Sequence, residues 1–377
     1  MPQLLFTHFC LAISIAWAAL NSNISAEEPI APELANASDG LLWYDLKTIG
    51  TEGQGWSDTK APFDRLPRKA EGKVRIAVWN LSRQSAGICA RFSTDADAIH
   101  AKWSLTSANL AMPHMPATGV SGLDLYVRDD AGNWRWLANG RPSQQANSTK
   151  LVSGISAVKR EYMLYLPLYN GVTAVEIGVA NTAKLYWPPK RAEESQKPIL
   201  FYGTSITQGG CASRPGMVHT SILGRRFDRP VINLGFSGNG RMETEVVELI
   251  AEIDAAVYVF DCLPNISAPD VLARTKACID IVRKQHPDTP ILLVEDRSYS
   301  DSFLVTSKRQ RNLSNRQALR KIYDELKAAG DKNLHYLTGE QLLGDDNEGT
   351  VDSSHPTDLG FMRQADAMAK VLKDLLP

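Results

Sequence analysis

From Pro198 onward the chain alternates two kinds of segment, and this alternation restricts the fold more than any other feature. "PILFYG", "PVINLGF", "AAVYVFD", "PILLVED" and "LHYLT" are short apolar runs of strand length. Between them lie segments with helical spacing, notably "APDVLARTKACIDIVRKQH" and "SNRQALRKIYDELKAAG". A last helix is predicted after Thr357, a good N-cap, running to the C-terminus. Strands that alternate with helices form a parallel sheet covered on both faces. Ligands of such open sheets gather beyond the carboxyl ends of the strands.

The preceding part has a different rhythm. "VRIAVWNLSR", "IHAKWSLTS", "GLDLYVRD", "WRWLANG", "EYMLYLPL" and "AVEIGVA" alternate or run apolar, with Gly, Asn, Pro and Asp clusters between them. No amphipathic helix is read within this series, so residues 41–185 are predicted to form an all-β sandwich. Six of the eight tryptophans, Trp43 to Trp136, lie here. They suit a packed core, the preferred reading, or a stacking platform for sugar rings. "YWPPKRAEESQKP" carries three prolines and a charged run, and residues 186–196 read as a linker. Residues 197–377 form the second domain.

The first 26 residues carry no Lys, Arg, Asp or Glu, and "FCLAISIAWAAL" is too short to cross a bilayer. Residues 1–26 read as a secretory signal peptide without the usual basic start, and an uncleaved anchor is the other reading. Residues 27–40 read as a flexible segment. The mature chain is then expected to be secreted or periplasmic in a bacterium, with no stable membrane insertion. Formal net charge is −1, and no basic stripe points to nucleic acid. Oligomeric state has no signature. No CxxC, HExxH or clustered His/Cys spacing suggests a metal.

Within this frame Ser205, in "GTSIT", falls just past the first strand of the parallel sheet. A serine hydroxyl needs a base to attack at neutral pH, and the base needs an orienting group. Beyond the linker, His219 and His286 read as helical or helix-terminal and His335 as the start of a strand. His355 lies in a loop, "VDSSHPTDLGF", with Asp352 three residues before it. Oxyanion donors are expected at the next two strand ends. Gly238 in "NLGFSGNGR" permits close backbone approach, and Asn265 in "FDCLPNIS" carries a neutral amide.

Ser205, Gly238, Asn265 and His355, in that order, resemble the four blocks of the SGNH (GDSL-like) hydrolase family. "GTSIT" is similar to its G-D-S-[IL]-T block and "DSSHP" to its D-x-x-H-P block. Thr204 stands where Asp is usual, and "LPNI" replaces G-x-N-D, with Leu263 for glycine and Ile266 for aspartate. "GLDLY", Gly122 to Tyr126, resembles the motif of the GxDLY domain that precedes a GDSL-like lipase/acylhydrolase domain in one bacterial subfamily, and "GGCASRPGM" and "DCLPN" are also similar to that subfamily.

The resemblance implies a three-layer α/β/α domain with a five-stranded parallel sheet in flavodoxin-like order, behind a jelly-roll-like sandwich. It implies a serine esterase with Ser205, His355 and Asp352 as triad. The oxyanion hole would be formed by Ser205, Gly238 and Asn265, and no cofactor or metal would be needed. A sandwich before such a domain is similar to two-domain carbohydrate O-acetyl esterases, so the expected partner is an acylated small molecule or polysaccharide. An acyltransferase, or a lipase or thioesterase using the same site, is the alternative within enzymes. A catalytically silent glycan binder is the alternative outside them. In a 2-1-3-4-5 sheet order Cys211 and Cys262 follow neighbouring strands. They either pair as a disulfide bracing the oxyanion loop or are two small buried residues. Arg214, in the same loop, is either a substrate contact or solvated surface.

Overall fold

The computed structural model describes residues 28–340 and 342–377, so the signal-peptide expectation lies outside the described residues. The first half contains β1 (Ala35–Ser38), β2 (Leu41–Asp45), α1 (Leu46–Ile49), α2 (Ile76–Ser82), β3 (Cys89–Thr94), β4 (Ala98–Leu105) and α3 (Ala117–Val120). It continues with β5 (Leu123–Arg128), β6 (Trp134–Gly140), β7 (Ala146–Ser153), β8 (Arg160–Tyr165), β9 (Val172–Ala180) and β10 (Leu185–Tyr186). The strands form two antiparallel sheets, β1-β2-β9-β4-β7 and β10-β3-β8-β5-β6. Ile99, Ala101, Trp103 and Leu105 of β4 all point inward, the period of two that one buried face requires. They meet Phe92, Leu125 and Leu164 of the facing sheet in one core. Trp43, Trp79 and Trp103 are buried, and of the six tryptophans Trp136 is the exposed one.

Two expectations for this half give way. "VRIAVWNLSR", read as a strand, contains helix α2. In a strand Val74, Ile76 and Val78 would share a face, but Val74 and Val78 are buried while Ile76 is 71% exposed. The cause is packing. Val74, Val78 and Trp79 join Leu66 and Ala70 against Tyr202, Leu234 and Phe236 of the other half, which outweighs the strand preference of Val and Ile. Arg65 anchors this segment, donating to the carbonyls of Leu81 (2.7 Å), Gln84 (2.7 Å), Asn233 (3.1 Å) and Gly235 (2.6 Å). The stretch 27–40, expected as flexible, places Ile30 in the sandwich core and pairs Ala35–Ser38 with β2 from its described residues onward. The linker is tied to the first half by Arg191, whose Nη1 lies 2.5 Å from Glu52 Oε1.

The second half contains β11 (Ile199–Gly203), α4 (Ser205–Gln208), α5 (His219–Phe227), β12 (Val231–Gly235), α6 (Thr244–Ile250), β13 (Val257–Asp261), α7 (Ala268–Gln285), β14 (Ile291–Val294), α8 (Thr306–Ala328), β15 (Leu334–Leu337) and α9 (Asp358–Leu375). The five strands run parallel in the order β12-β11-β13-β14-β15, which is 2-1-3-4-5. Leu200, Tyr202, Tyr258 and Phe260 face α6, α7 and α8. Ile199, Phe201, Val257 and Val259 face α5 and α9. Thr357 caps α9, its Oγ1 accepting from Gly360 N at 3.2 Å.

The proposed Cys211–Cys262 bridge is absent, because all four described cysteines are free and buried. Cys262 continues the face of Tyr258 and Phe260 into the helix-covered core, where its thiol contacts the Tyr202 carbonyl at 3.5 Å. Cys211 instead lies beside His114 and His355, so neighbouring strand ends alone do not bring the two thiols together.

Candidate active site

The parallel register sets Gly203 level with Gly235 on one side and Asp261 on the other, so three strand ends share one rim. Ser205 opens α4 immediately beyond β11. Thr204 caps that turn, its Oγ1 accepting from Ile206 N at 3.3 Å. The turn is crowded from below: a Cβ on Gly240 would sit 1.8 Å from the Gly203 carbonyl oxygen. Only glycine lets the loop after β12 come this close to the serine turn.

Ser205 Oγ lies 2.8 Å from His355 Nε2, and His355 Nδ1 lies 2.7 Å from Asp352 Oδ2. The other carboxylate oxygen accepts from His355 N at 2.8 Å and Ser354 N at 3.1 Å. Ser353 takes φ +72°, which folds this turn back on itself and brings both side chains to one edge. Partial burial opposes the charge on Asp352, but the His355 amide, its imidazole and the Ser354 amide outweigh it and hold the carboxyl below its ordinary value. Asp352 is thereby suited to fix a ring tautomer with Nδ1–H toward it and the Nε2 lone pair toward Ser205.

Gly238 and Asn265 stand on the two flanking loops. Ser237 N donates to Gln208 Oε1 at 3.0 Å, and Asn239 N and Gly240 N both donate to the Phe236 carbonyl. Gly238 sits between them at φ +68°, with open space where a side chain would be. Asn265 ends a short turn after β13. Arg311 Nη2 grips the carbonyls of Pro264 (2.9 Å) and Ile266 (3.1 Å), and Asn315 Nδ2 that of Ile266 (3.0 Å). The Asn265 Oδ1 is buried without a partner among the described residues.

Several contributors escape a reading confined to the second half. Tyr169 OH donates to the Ser205 carbonyl at 3.2 Å, and Gln84 bonds Gln208 one turn below the serine. The His114 ring lies 5.9 Å from that of His355. Beneath the turn, Arg297 Nη2 pairs with Asp261 Oδ2 at 2.6 Å, and Thr207 Oγ1 donates to the same oxygen at 3.2 Å. Arg214, weighed as a substrate contact, instead reaches Asp124 Oδ2 (2.8 Å) and Tyr126 OH (2.5 Å) of the "GLDLY" strand. The signal was present: an aspartate between apolar neighbours in a strand needs a buried partner. The other histidines serve structure. His219 opens α5 between Phe201 and Phe361, His286 Nε2 is 2.8 Å from the Ala251 carbonyl, and His335 lies in β15.

Residues 196–373 match the model of the GDSL-like lipase/acylhydrolase family, and residues 41–185 match that of the N-terminus of SGNH-hydrolase-type esterases. A crystal structure of a Bacteroides ovatus protein described as a GDSL-like lipase shares 32% identity over 89% of this chain and 98% of its own, with a TM-score of 0.84. The chain belongs to the GDSL-like lipase/acylhydrolase family. It is therefore a serine hydrolase of the SGNH type. Two further structures share its fold. The salicylyl-acyltransferase SsfX3 from a tetracycline biosynthetic pathway is 19% identical over 94% of this chain and 99% of its own, with a TM-score of 0.70. A family two carbohydrate esterase from Clostridium thermocellum, solved with cellohexaose, is 15% identical over 77% and 92%, with a TM-score of 0.56. A comparison with curated protein sequences found no match. The chain's departures from the family blocks have local reasons: Thr204 caps α4, and Leu263 and Ile266 are buried in the core under the Asn265 turn.

Proposed function

We propose that Ser205, His355 and Asp352 hydrolyse carboxylic esters through an acyl-enzyme, and that the natural ester is an O-acetyl group on a carbohydrate. The contact of 2.8 Å between Ser205 Oγ and His355 Nε2 carries the first part. Ser205 Oγ attacks the ester carbonyl as His355 Nε2 takes its proton, and Asp352 stabilises the imidazolium. The N–H groups of Ser205 and Gly238 and the side-chain amide of Asn265 receive the oxyanion. Collapse expels the alkoxide, which His355 protonates. Water then attacks the acyl-enzyme by the same route, releasing acid and regenerating Ser205.

The substrate part rests on the surface beside the site. A cleft of about 710 Å³ runs along the first half and includes Tyr169 and Gln84, both bonded to the serine turn. Its walls carry Asn80, Arg83, Ser107 and Asn109 beside Leu110, Met112, Pro113 and Val120, a mixed lining that offers a sugar ring both hydrogen-bonding groups and apolar surface. A shared fold with a carbohydrate esterase agrees with this reading. Export, through residues 1–26, would bring the enzyme to a polymer outside the cell. Among the described residues no helix is long and apolar enough to cross a membrane.

Acetate release from acetylated xylan and mannan oligosaccharides, set against p-nitrophenyl esters of increasing chain length, tests the proposal. Release from glycans with a preference for acetyl is expected. Activity rising with acyl length and no acetate from glycans would favour a lipase, and ester formation with an added alcohol an acyltransferase.

A further inference from the structure

His114, Cys211 and His355 each offer one ligand atom, and the three atoms lie within 4.8 Å of one another. They come from a turn of the first half, the loop after α4 and the Asp352–His355 turn, so no sequence spacing announces them. Cys211 is 6% exposed and adopts φ +73°, a conformation that glycine would hold with less strain. The loop nevertheless presents a thiol there, and that thiol is in no disulfide. The neighbouring Gly210 packs on His355, where an added Cβ would lie 3.1 Å from the ring's Cδ2. His114 is exposed and free to adjust.

Two imidazoles and a thiolate are the donors that Zn²⁺ prefers, and three protein ligands leave a fourth position for water. Zn–N and Zn–S bonds of roughly 2.0–2.3 Å place tetrahedral ligands about 3.3–3.8 Å apart. Closing from the present spacing takes shifts of about an ångström, which an exposed ring can supply.

We propose that His114, Cys211 and His355 form an inhibitory site for a thiophilic divalent cation, Zn²⁺ foremost, which withdraws His355 from Ser205. Binding forms one metal–sulfur and two metal–nitrogen bonds, breaks the metal's bonds to all but one of its water ligands and the thiol S–H bond, releases those waters and the proton to solvent, and involves no redox change. A His355 nitrogen that ligates the metal has no lone pair for the Ser205 proton. The inhibitory role rests on His355 as base, whereas the binding site does not.

The test uses metal-free enzyme, with Co²⁺ absorption and Zn²⁺ calorimetry as readouts separate from activity. One equivalent of Zn²⁺ should bind with micromolar or tighter affinity, and Co²⁺ should give a sulfur charge-transfer band with tetrahedral visible bands. Hydrolysis of p-nitrophenyl acetate should fall in step with occupancy and return with a chelator. His114→Ala and Cys211→Ala, which leave Ser205, Asp352 and His355 in place, should each bind Zn²⁺ at least tenfold more weakly, and the hydrolysis each retains should no longer fall on adding Zn²⁺. Ser205→Ala, inactive, should still bind Zn²⁺. Unchanged affinity in both ligand variants, or no binding by the intact enzyme up to millimolar Zn²⁺, would overturn the site. Stoichiometric binding at these ligands with undiminished hydrolysis would overturn the inhibitory role.

Discussion

Arg214 Nη1 lies 2.8 Å from Asp124 Oδ2, and this pair ties the loop beyond the serine turn to the start of strand β5. Asp124 is fully buried, and its two oxygens also accept from Gly216 N at 2.7 Å and Trp136 Nε1 at 2.8 Å. Burial raises the pKa of its carboxyl, with Arg214 and the Gly216 amide pulling against that rise. The "GLDLY" strand therefore acts as a clasp between the two halves.

Removing one partner of a buried pair leaves the other desolvated and unpaired, at a cost of about 3–5 kcal/mol. Asp124→Ala should lose roughly 3 kcal/mol in denaturant unfolding, with a fall in kcat because the loop bearing Cys211 and Arg214 loses its anchor. Asp124→Asn, which keeps the shape, should cost less. Full stability in Asp124→Ala would remove the clasp.

The donors assigned to the oxyanion should act on kcat more than on KM. Asn265→Ala should lower kcat about 10²–10³-fold with little change in folding, since its carboxamide oxygen has no partner to lose among the described residues. A loss confined to KM would place Asn265 in substrate binding instead.

His219 supplies a pH prediction. Both ring nitrogens are buried without hydrogen-bond partners among the described residues. Burial first, and Arg297 second, hold its pKa well below the ordinary value. A histidine depressed in the folded state takes up its proton more readily when unfolded. Stability is therefore unaffected well above pH 6.5 and falls below it, by at most about 1.4 kcal/mol per pH unit. His219→Phe, which keeps the stack on Phe361, should show a shallower loss between pH 6.5 and 5 by denaturant unfolding. Equal slopes in the two proteins would contradict this.

The parallel sheet was legible because its central strands β11, β13 and β14 are buried on both faces and read as nearly unbroken apolar runs, and α9 because Thr357 is a strong cap. Ser205, Asp352 and His355 were legible as candidates because a serine at a strand end needs a base, and an aspartate three residues before a loop histidine lets one turn hold both side chains. Helix α2 was not legible, since Val74, Ile76 and Val78 favour strands and only contact with Tyr202 and Phe236 decides otherwise. Arg65, Tyr169 and His114 belong to the first half and reach the site through tertiary contact alone, which no local pattern encodes. Of the two readings open for Cys262 the buried one holds, and the clue was local: it follows Tyr258 and Phe260 at a period of two, toward the core.

The most direct measurement is intact mass after treatment with a fluorophosphonate, with peptide mapping, on the natural chain and on Ser205→Ala and His355→Ala. One adduct per chain at Ser205 is expected in the natural chain. None should form on Ser205→Ala and labelling should be at least about 10³-fold slower on His355→Ala, with ester hydrolysis lost in both. An adduct on another residue, or undiminished hydrolysis by Ser205→Ala, would contradict the account.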